Sequence, residues 1–535
     1  MERLLPIGIQ DFAKIRKGDY KYVDKTVRIH QLISSGDSAF FLSRPRRFGK
    51  SLLCSTLGAI FEGRRELFDG LAIDLLDWEW KKHPVIRIDL NAGVYSSGVE
   101  SLHSTLFREL KREAEKQDLL LDGNDCTSQF ACLIEKACNK NGEKVVVIID
   151  EYDKPLINTL DNGELHIAIR NELKGFYGVL KSCDEYLKFV FLTGITKFSQ
   201  VSIFSDLNHL IDITLDPCYA DICGWTQEEV ENNFDSYIEL IARENEAGRQ
   251  EVLDAIRHWY NGFSWDGNVF VYNPFSTLLL FSKRVFNNYW FATATPTFLI
   301  DIIKERNDVK YLLDPIELDI TTFNTFDYKT LDTKLLLFQT GYLTVKSVKK
   351  CGLGVPPVYT LGVPNNEVRN AMLEYLVSSY AVYPVTDTAI LRDRLRKQLL
   401  DGDEAAFEKS VKELFAGIPY QLHIPREAYY HSLFLVWLNL LGFEVQGEVS
   451  TDKGRIDAVW IHEDQAVIAE VKFAKKGSTA SLVQNAVKQI NKKEYYERYR
   501  GNKRKVSLLG IGFNGKSVAC KMVKLSKLIK KRWLY

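Results

Sequence analysis

The sequence predicts an α/β protein with a parallel-sheet domain first, a mainly helical middle, and a second α/β domain at the C-terminal end. Three observations carry that expectation. The apolar run Ala39–Leu42 leads through a turn into Gly49-Lys50-Ser51 and then into a helical pattern. Lys144–Asp150 holds five consecutive β-branched residues and ends in acids, as a core strand buried on both faces does. Towards the C-terminus, Phe443–Val449 and Arg455–Ile461 read as a hairpin across Asp452-Lys453-Gly454, and Gln465–Phe473 follows as a third strand.

The chain has 535 residues, 46% hydrophobic and 26% charged, the balance of an ordinary globular protein with ample core. Its length suits roughly three or four domains; the expected limits are 1–215, 216–385 and 386–535. Met1–Pro6 holds no apolar run that would act as a secretory signal. No stretch reaches the roughly 18 uninterrupted apolar residues of a membrane span. Nine cysteines are scattered without a C-x-x-C pair, and Cys126, Cys132 and Cys138 have no histidine at zinc-site spacing. The expectation is a cytoplasmic protein with reduced thiols and no membrane partner. The formal net charge is zero, but it is unevenly spread. Lys472–Tyr535 carries 18 Lys and Arg against Glu494 and Glu497, a net of +16 that the preceding residues balance. Such a split suits a polyanion partner, or else a solvated helix face.

The strand, loop, Gly-Lys-Ser and helix form the layout of a phosphate-binding P-loop. Backbone N–H groups of such a loop and the helix N-terminus face the phosphates. Arg47, Phe48, Gly49, Lys50 and Ser51 are the binding candidates. Lys50 is expected to reach the β/γ-phosphates and the Ser51 hydroxyl to ligate Mg²⁺. Arg44 stands where the first glycine of the motif belongs. Asp150, at the end of the acidic strand, is placed to hold Mg²⁺ and Glu151 to polarise the attacking water. Leu187–Leu192 reads as a further strand running into Thr193-Gly194-Ile195-Thr196-Lys197. Thr193 and Thr196 are alternative sensors of the water or γ-phosphate. Tyr20–Thr26 reads as a strand-like piece entering a helix near Val27–Ser34.

Arg44-Pro45-Arg46-Arg47-Phe48-Gly49-Lys50-Ser51 resembles the P-loop of the AAA-ATPase-like proteins that carry a C-terminal PD-(D/E)XK nuclease domain. Tyr22-Val23-Asp24-Lys25-Thr26, Ile149–Pro155 and Thr193–Lys197 are similar to that family's usual wording. The resemblance runs the length of the chain and makes Arg44 a family trait. It implies ATP binding and hydrolysis, and supplies no substrate. Arg44, Arg46 and Arg47 then either add charge near the phosphates or serve structure.

In the middle, Thr226–Ala247 starts on a capping box, Gly248 ends it, and Gln250–Tyr260 and Phe275–Phe281 continue as helices. Leu335–Val345 suits a helix turning into a strand. Trp259, Phe263, Trp265, Tyr289 and Trp290 read as core rather than as base-stacking residues. The expected role of the region is a lid over the nucleotide.

Asp387–Leu400, Asp403–Ala416 and Glu427–Leu441 read as helices, the last with Glu427 and His431 one turn apart. Glu470-Val471-Lys472 is an acid-x-Lys tripeptide that recurs through the chain, at Glu109, Glu172 and Asp327 among other positions. Only at Glu470 does it lie in an apolar strand, where each buried charge costs several kcal/mol unless paired or metal-bound. Glu470 and Lys472 share a face, and a neighbouring antiparallel strand can bring Asp457 beside them. Two carboxylates and a lysine suit Mg²⁺ and an attacking water on a phosphodiester. The resemblance places the PD-(D/E)XK core here, with Asp457 and Glu470 as metal ligands, Lys472 positioning the water, and Glu427 adding a carboxylate. Gln489 with Tyr495 resembles a helix motif of related nucleases. Lys475, Lys476, Lys492, Lys493, Arg498, Arg500, Lys503, Arg504 and Lys505 flank the site and suit DNA phosphates. The expected function is ATP-regulated, Mg²⁺-dependent (or Mn²⁺-dependent) DNA cleavage. The alternative is an ATP-gated switch whose nuclease fold binds nucleic acid without cutting. Oligomeric state is not legible.

Overall fold

The computed structural model describes residues 3–197, 203–204, 207, 209–290, 299, 302–303, 306, 311–312, 315–319, 323, 332–381, 394–398, 401–416, 427–440, 445–451, 454–462, 465–475, 477–500, 505–514 and 517–525. They divide into two compact units. One comprises 1–294 with 317–367, the other 295–316 with 368–535. The segment 216–385, expected as one helical region, is shared between them and also carries strands.

The first unit is built on five strands: β1 (Ala39–Ser43), β2 (Val85–Asp89), β3 (Val145–Asp150), β4 (Leu187–Gly194) and the short β5 (Ile211–Asp212). They lie in the order β2-β3-β4-β1-β5, and every pair is parallel. Parallel strands are covered on both faces, which is why β1 and β3 are apolar without alternation. Helices α1 (Phe12–Lys17), α2 (Thr26–Ile33), α3 (Lys50–Phe61), α4 (Val99–Lys116), α5 (Cys126–Asn141), α6 (Lys154–Ile157) and α7 (Gly163–Ser182) accompany the sheet. Val145, Val147 and Ile149 pack with Leu106 of α4, Phe130 of α5 and Phe176 of α7. On α3, Phe61 sets its ring 5.0 Å from that of Phe189. The strand-like piece at Tyr20–Thr26 is only a bridge, Leu4 to Tyr20. Its polar residues are occupied otherwise: Asp24 accepts from Ala72 N and the Thr26 hydroxyl from Ile73 N, pinning the following turn.

Helices α8 (Gln227–Glu244), α9 (Arg249–Tyr260) and α10 (Pro274–Lys283) form a second core with Val230, Phe234, Ile256, Tyr260 and Phe281. Thr226 and Glu229 make the capping box in both directions. Gly248 lies before α9 as its N-cap rather than ending α8. Helix α11 (Thr333–Thr340) turns at Gly341 towards β7 (Thr344–Lys349), which pairs with β8 (Val358–Gly362); β6 (Ile316–Asp319) lies at that sheet's edge.

In the second unit, β9 (Val445–Thr451), β10 (Gly454–His462), β11 (Gln465–Phe473), β12 (Lys505–Asn514) and β13 (Ser517–Lys524) lie in the order β13-β12-β11-β10-β9. Only β11–β12 is parallel, its crossover made by α15 (Thr479–Lys492) and the short α16 (Glu497–Arg500). Helices α12 (Asn366–Ala381), α13 (Glu404–Ala416) and α14 (Glu427–Leu440) precede the sheet. Tyr430 of α14 stacks on Phe473 and Phe513, fixing the helix to the strands. Of the helix expected over Asp387–Leu400, residues 394–398 are helical and the rest lies outside the described residues. No helix among the described residues is long and apolar enough to cross a membrane.

Candidate functional site

Each unit gathers one constellation of polar side chains. In the first, the chain leaves β1 at Ser43 and reaches α3 through Gly49, whose φ of 91° is a left-handed turn that glycine adopts without penalty. Lys50, the first residue of the helix, is 4% exposed. Its Nζ donates to the Pro45 carbonyl at 3.2 Å and lies 3.6 Å from Glu151 Oε1. The Ser51 hydroxyl lies beside the Asp150 carboxyl, which burial, then the Glu151 charge, push up to about 6 against the pull of Ser51 and Lys50. Asp89 on β2 sits in register with Asp150. Glu151 has φ 54°, an unfavourable value for a residue with a Cβ. Its N–H is held by Asp150 Oδ1 at 3.0 Å.

Lys50, Ser51, Asp89 and Glu151 line a cleft of about 360 Å³ together with Lys154, the rest of Arg46–Leu53, and the apolar Val23, Ile222 and Leu278. The loop is held from outside by the aromatics of the middle region. Phe48 is buried between Phe263 and Trp265, so only its backbone remains for phosphate. Arg47 lies over Phe275. Trp290 Nε1 donates to the Arg46 carbonyl at 3.1 Å. Arg44 is fully buried; it donates to the carbonyls of Ser43, Thr214 and Tyr219 and stacks at 3.8 Å on Trp265. Of the two roles open to Arg44, phosphate contact or structure, the fold gives it the second.

The two sensor candidates are not brought to the cleft. Thr193 donates its hydroxyl to Leu42 O across the sheet, and Thr196 donates to the buried Asp153 carboxylate. Each hydroxyl donates its proton within the fold, and neither threonine is among the residues that line the cleft. Asp153 itself, also accepting from Ile195 N and Thr196 N, ties the end of β4 to the turn after β3.

The second constellation lies on β10, β11 and α15. Glu470 is 1% exposed, and Lys472 Nζ lies 2.8 Å from its Oε1. Asp457, on the neighbouring antiparallel strand, accepts from Val471 N at 2.8 Å, and His431 Nε2 donates to the Asp457 carbonyl. Gln489 of α15 donates to the same Glu470 oxygen as Lys472. Tyr495 lies close by, its phenol pushed up by burial and then by the Glu470 charge. The helix comes this near because β12 shows it glycines. A Cβ on Gly510 would stand 2.8 Å from Val483 O, and one on Gly512 2.8 Å from Thr479 O. The Glu427 side chain, expected to add a carboxylate, lies outside the described residues. Lys475, Lys492, Lys493, Arg498 and Lys505 are exposed; Lys476, Lys503, Arg504 and the Arg500 side chain lie outside the described residues.

Comparison with known proteins matches both halves of this geometry. A family model described as a predicted AAA-ATPase matches residues 6–204, and one for the PD-(D/E)XK nuclease superfamily matches residues 425–522. A relative from Azotobacter chroococcum mcd 1, described as an uncharacterized protein in the vnfD 5′ region, is 38% identical over 519 residues, covering 95% of this chain and 96% of its own. The chain belongs to the AAA-ATPase-like family with a C-terminal PD-(D/E)XK nuclease-superfamily domain. Among solved structures, the Aeropyrum pernix ORC2 protein in its ADPNP–ADP complexes aligns over 66% of this chain and 93% of its own, at 12% identity and a TM-score of 0.24. That similarity is too slight to say anything of this chain.

Within the AAA-ATPase-like domain, Asp89 and Lys154 were not singled out from the sequence. Asp89 ends an apolar strand as Asp150 does, which is a usable signal; Lys154 carries none beyond its nearness to Glu151. In the PD-(D/E)XK domain, His431 was noted only for its spacing from Glu427, and the structure gives it the Asp457 carbonyl instead.

Proposed function

We propose that the AAA-ATPase-like domain binds and hydrolyses ATP with Mg²⁺, and that its nucleotide state regulates metal-dependent cleavage of DNA by the PD-(D/E)XK domain. The observation that carries the nuclease half is the buried Glu470 carboxylate with Lys472 at 2.8 Å and Asp457 on the adjoining strand. Among the described residues, no group of three or more His, Cys, Asp or Glu could hold an ion. The donor chemistry nevertheless fits Mg²⁺, which is held by one or two carboxylates together with waters and substrate phosphate oxygens. Asp457 and Glu470 would hold it here, and Ser51 with Asp150 would hold the ion that accompanies the nucleotide. When bound, the ion polarises the phosphodiester and favours the hydroxide form of water.

The chain's own groups supply the rest. Lys472 carries a fixed positive charge beside the scissile phosphate and orients the attacking water. Gln489 holds Glu470 in one rotamer. In the other domain, Lys50 contacts the β/γ-phosphates, and Glu151, already held in a left-handed turn beside Lys50, orients water for the γ-phosphate. The exposed lysines around α15 bind the DNA backbone without reading sequence.

The test is incubation of plasmid and single-stranded DNA with Mg²⁺ or Mn²⁺, with and without ATP. Wild type should nick or cut, and Lys472→Ala should not. Cutting that survives Lys472→Ala would remove the assignment. An uncut substrate with intact ATP hydrolysis would favour a switch that binds nucleic acid only.

A further inference from the structure

Among the described residues, six cationic side chains line the nucleotide cleft, and four of them are engaged. Lys25 pairs with Glu229 at 2.6 Å. Lys50 bonds Pro45 O and lies near Glu151. Arg47 and Lys21 stand over the Phe275 and Phe234 rings. The remaining two are Arg46 and Lys154. Among the described residues, neither side chain makes an ion pair within 4.0 Å or a hydrogen bond.

Their position is specific. Arg46 lies four residues before Lys50, on a backbone fixed by the Trp290 indole. Lys154 lies three residues after Glu151, and its N–H donates to the Glu151 carbonyl at 3.0 Å. Both line the same cleft as Asp89 and Glu151. Burial, and then the Arg46 guanidinium, hold the Lys154 ammonium below its usual range. Two like charges kept together in a half-enclosed site repel each other, and an anion between them would relieve that repulsion. With the loop backbone and Lys50 assigned to the phosphates as far as the β/γ bridge, the anion that fits is the terminal phosphoryl group.

Resting on the nucleotide reading above, we infer that Arg46 and Lys154 together bind the γ-phosphate within the same chain, and so distinguish a nucleoside triphosphate from a diphosphate. Arg46 offers a planar fork to two phosphate oxygens, and Lys154 a point charge on the Glu151 side. Both are positioning residues. They hold the terminal phosphate opposite Glu151 and take no proton.

The test is calorimetric titration of the full chain with Mg²⁺–ATPγS and with Mg²⁺–ADP. Arg46→Gln and Lys154→Gln should each weaken ATPγS tenfold or more while leaving ADP within twofold; Lys154→Arg should retain most of the ATPγS affinity. Lys50→Ala should weaken both nucleotides. Equal weakening of both by Lys154→Gln, or of neither, would overturn the inference and leave the nucleotide site standing. A wild-type chain that binds neither nucleotide would overturn both readings.

Discussion

Gln489 on α15 donates a hydrogen bond to the Glu470 carboxylate on β11. The bond joins two segments that are sequential in the crossover, and it exists only because Gly510 and Gly512 let the helix lie flat on β12.

Gln489→Ala should therefore lower cleavage by about 10- to 100-fold, the usual cost of removing a group that orients a metal ligand, with little change in melting temperature. Gly510→Ala should do both kinds of damage. Its new Cβ meets the Val483 carbonyl at 2.8 Å, so the helix must shift, lowering stability as well as cleavage. Rates of plasmid nicking beside thermal melts separate the two effects.

Arg44 predicts a purely structural loss. Removing its guanidinium takes a hydrogen bond from the carbonyls of Ser43 and Thr214 and one of two from the Tyr219 carbonyl, which keeps the Ile222 N–H; a buried acceptor left unpaired costs about 1–3 kcal/mol. Arg44→Ala should lower the melting temperature sharply or prevent folding. Arg44→Lys should rescue little, because an ammonium cannot reproduce the fork or the stack on Trp265. Arg47→Ala, at an exposed residue over Phe275, should change stability by less than about 1 kcal/mol.

These two arginines show where the sequence was legible and where it was not. Strand, loop and helix around Lys50 follow from local pattern, and so do the Asp150 strand and the Thr226–Glu229 capping box. The positions of Asp457, Glu470 and Lys472 follow from strand period and one hairpin. What local pattern cannot supply is the partner some 170 residues away. Arg44 looked like a lost glycine or a phosphate ligand, but Thr214 and Tyr219 claim it. Thr193 and Thr196 stand at the strand end that the motif order predicts, yet their hydroxyl protons go to Leu42 O and Asp153. The middle aromatics read correctly as core, while their grip on the P-loop depends on tertiary packing.

Glu367 predicts a dependence on pH. It is fully buried and accepts from Ser276 Oγ and Trp290 N. Burial pushes its carboxyl up to about 7. Because the folded value lies above the unfolded one of about 4.3, the folded state binds the extra proton. Its contribution is fully present below about pH 4.3 and is lost as pH rises through 7. Glu367→Gln should remove a penalty on the order of 3 kcal/mol at pH 8. Thermal melts should place the variant above wild type at pH 8, with the gap closing towards pH 5.

The exposed cations around α15 predict a salt signature. Lys492→Ala with Lys493→Ala should weaken DNA binding equally for unrelated sequences. For every phosphate that these substitutions leave without its lysine, the slope of log K against log salt should become shallower by about 0.9 on duplex DNA. Fluorescence anisotropy across a salt series measures it, and an unchanged slope would move the DNA path elsewhere.

The central claim is that the nucleotide held by the AAA-ATPase-like domain governs the Glu470–Lys472 site. It is tested most directly by the initial rate of plasmid cleavage under four conditions: no nucleotide, ADP, ATP, and ATP with Glu151→Gln, a variant expected to bind ATP without turning it over. The account predicts that the rate changes at least severalfold between ADP and ATP, that Glu151→Gln locks the ATP-bound rate, and that Lys50→Ala abolishes the difference. One rate shared by all four conditions and by Lys50→Ala would contradict it.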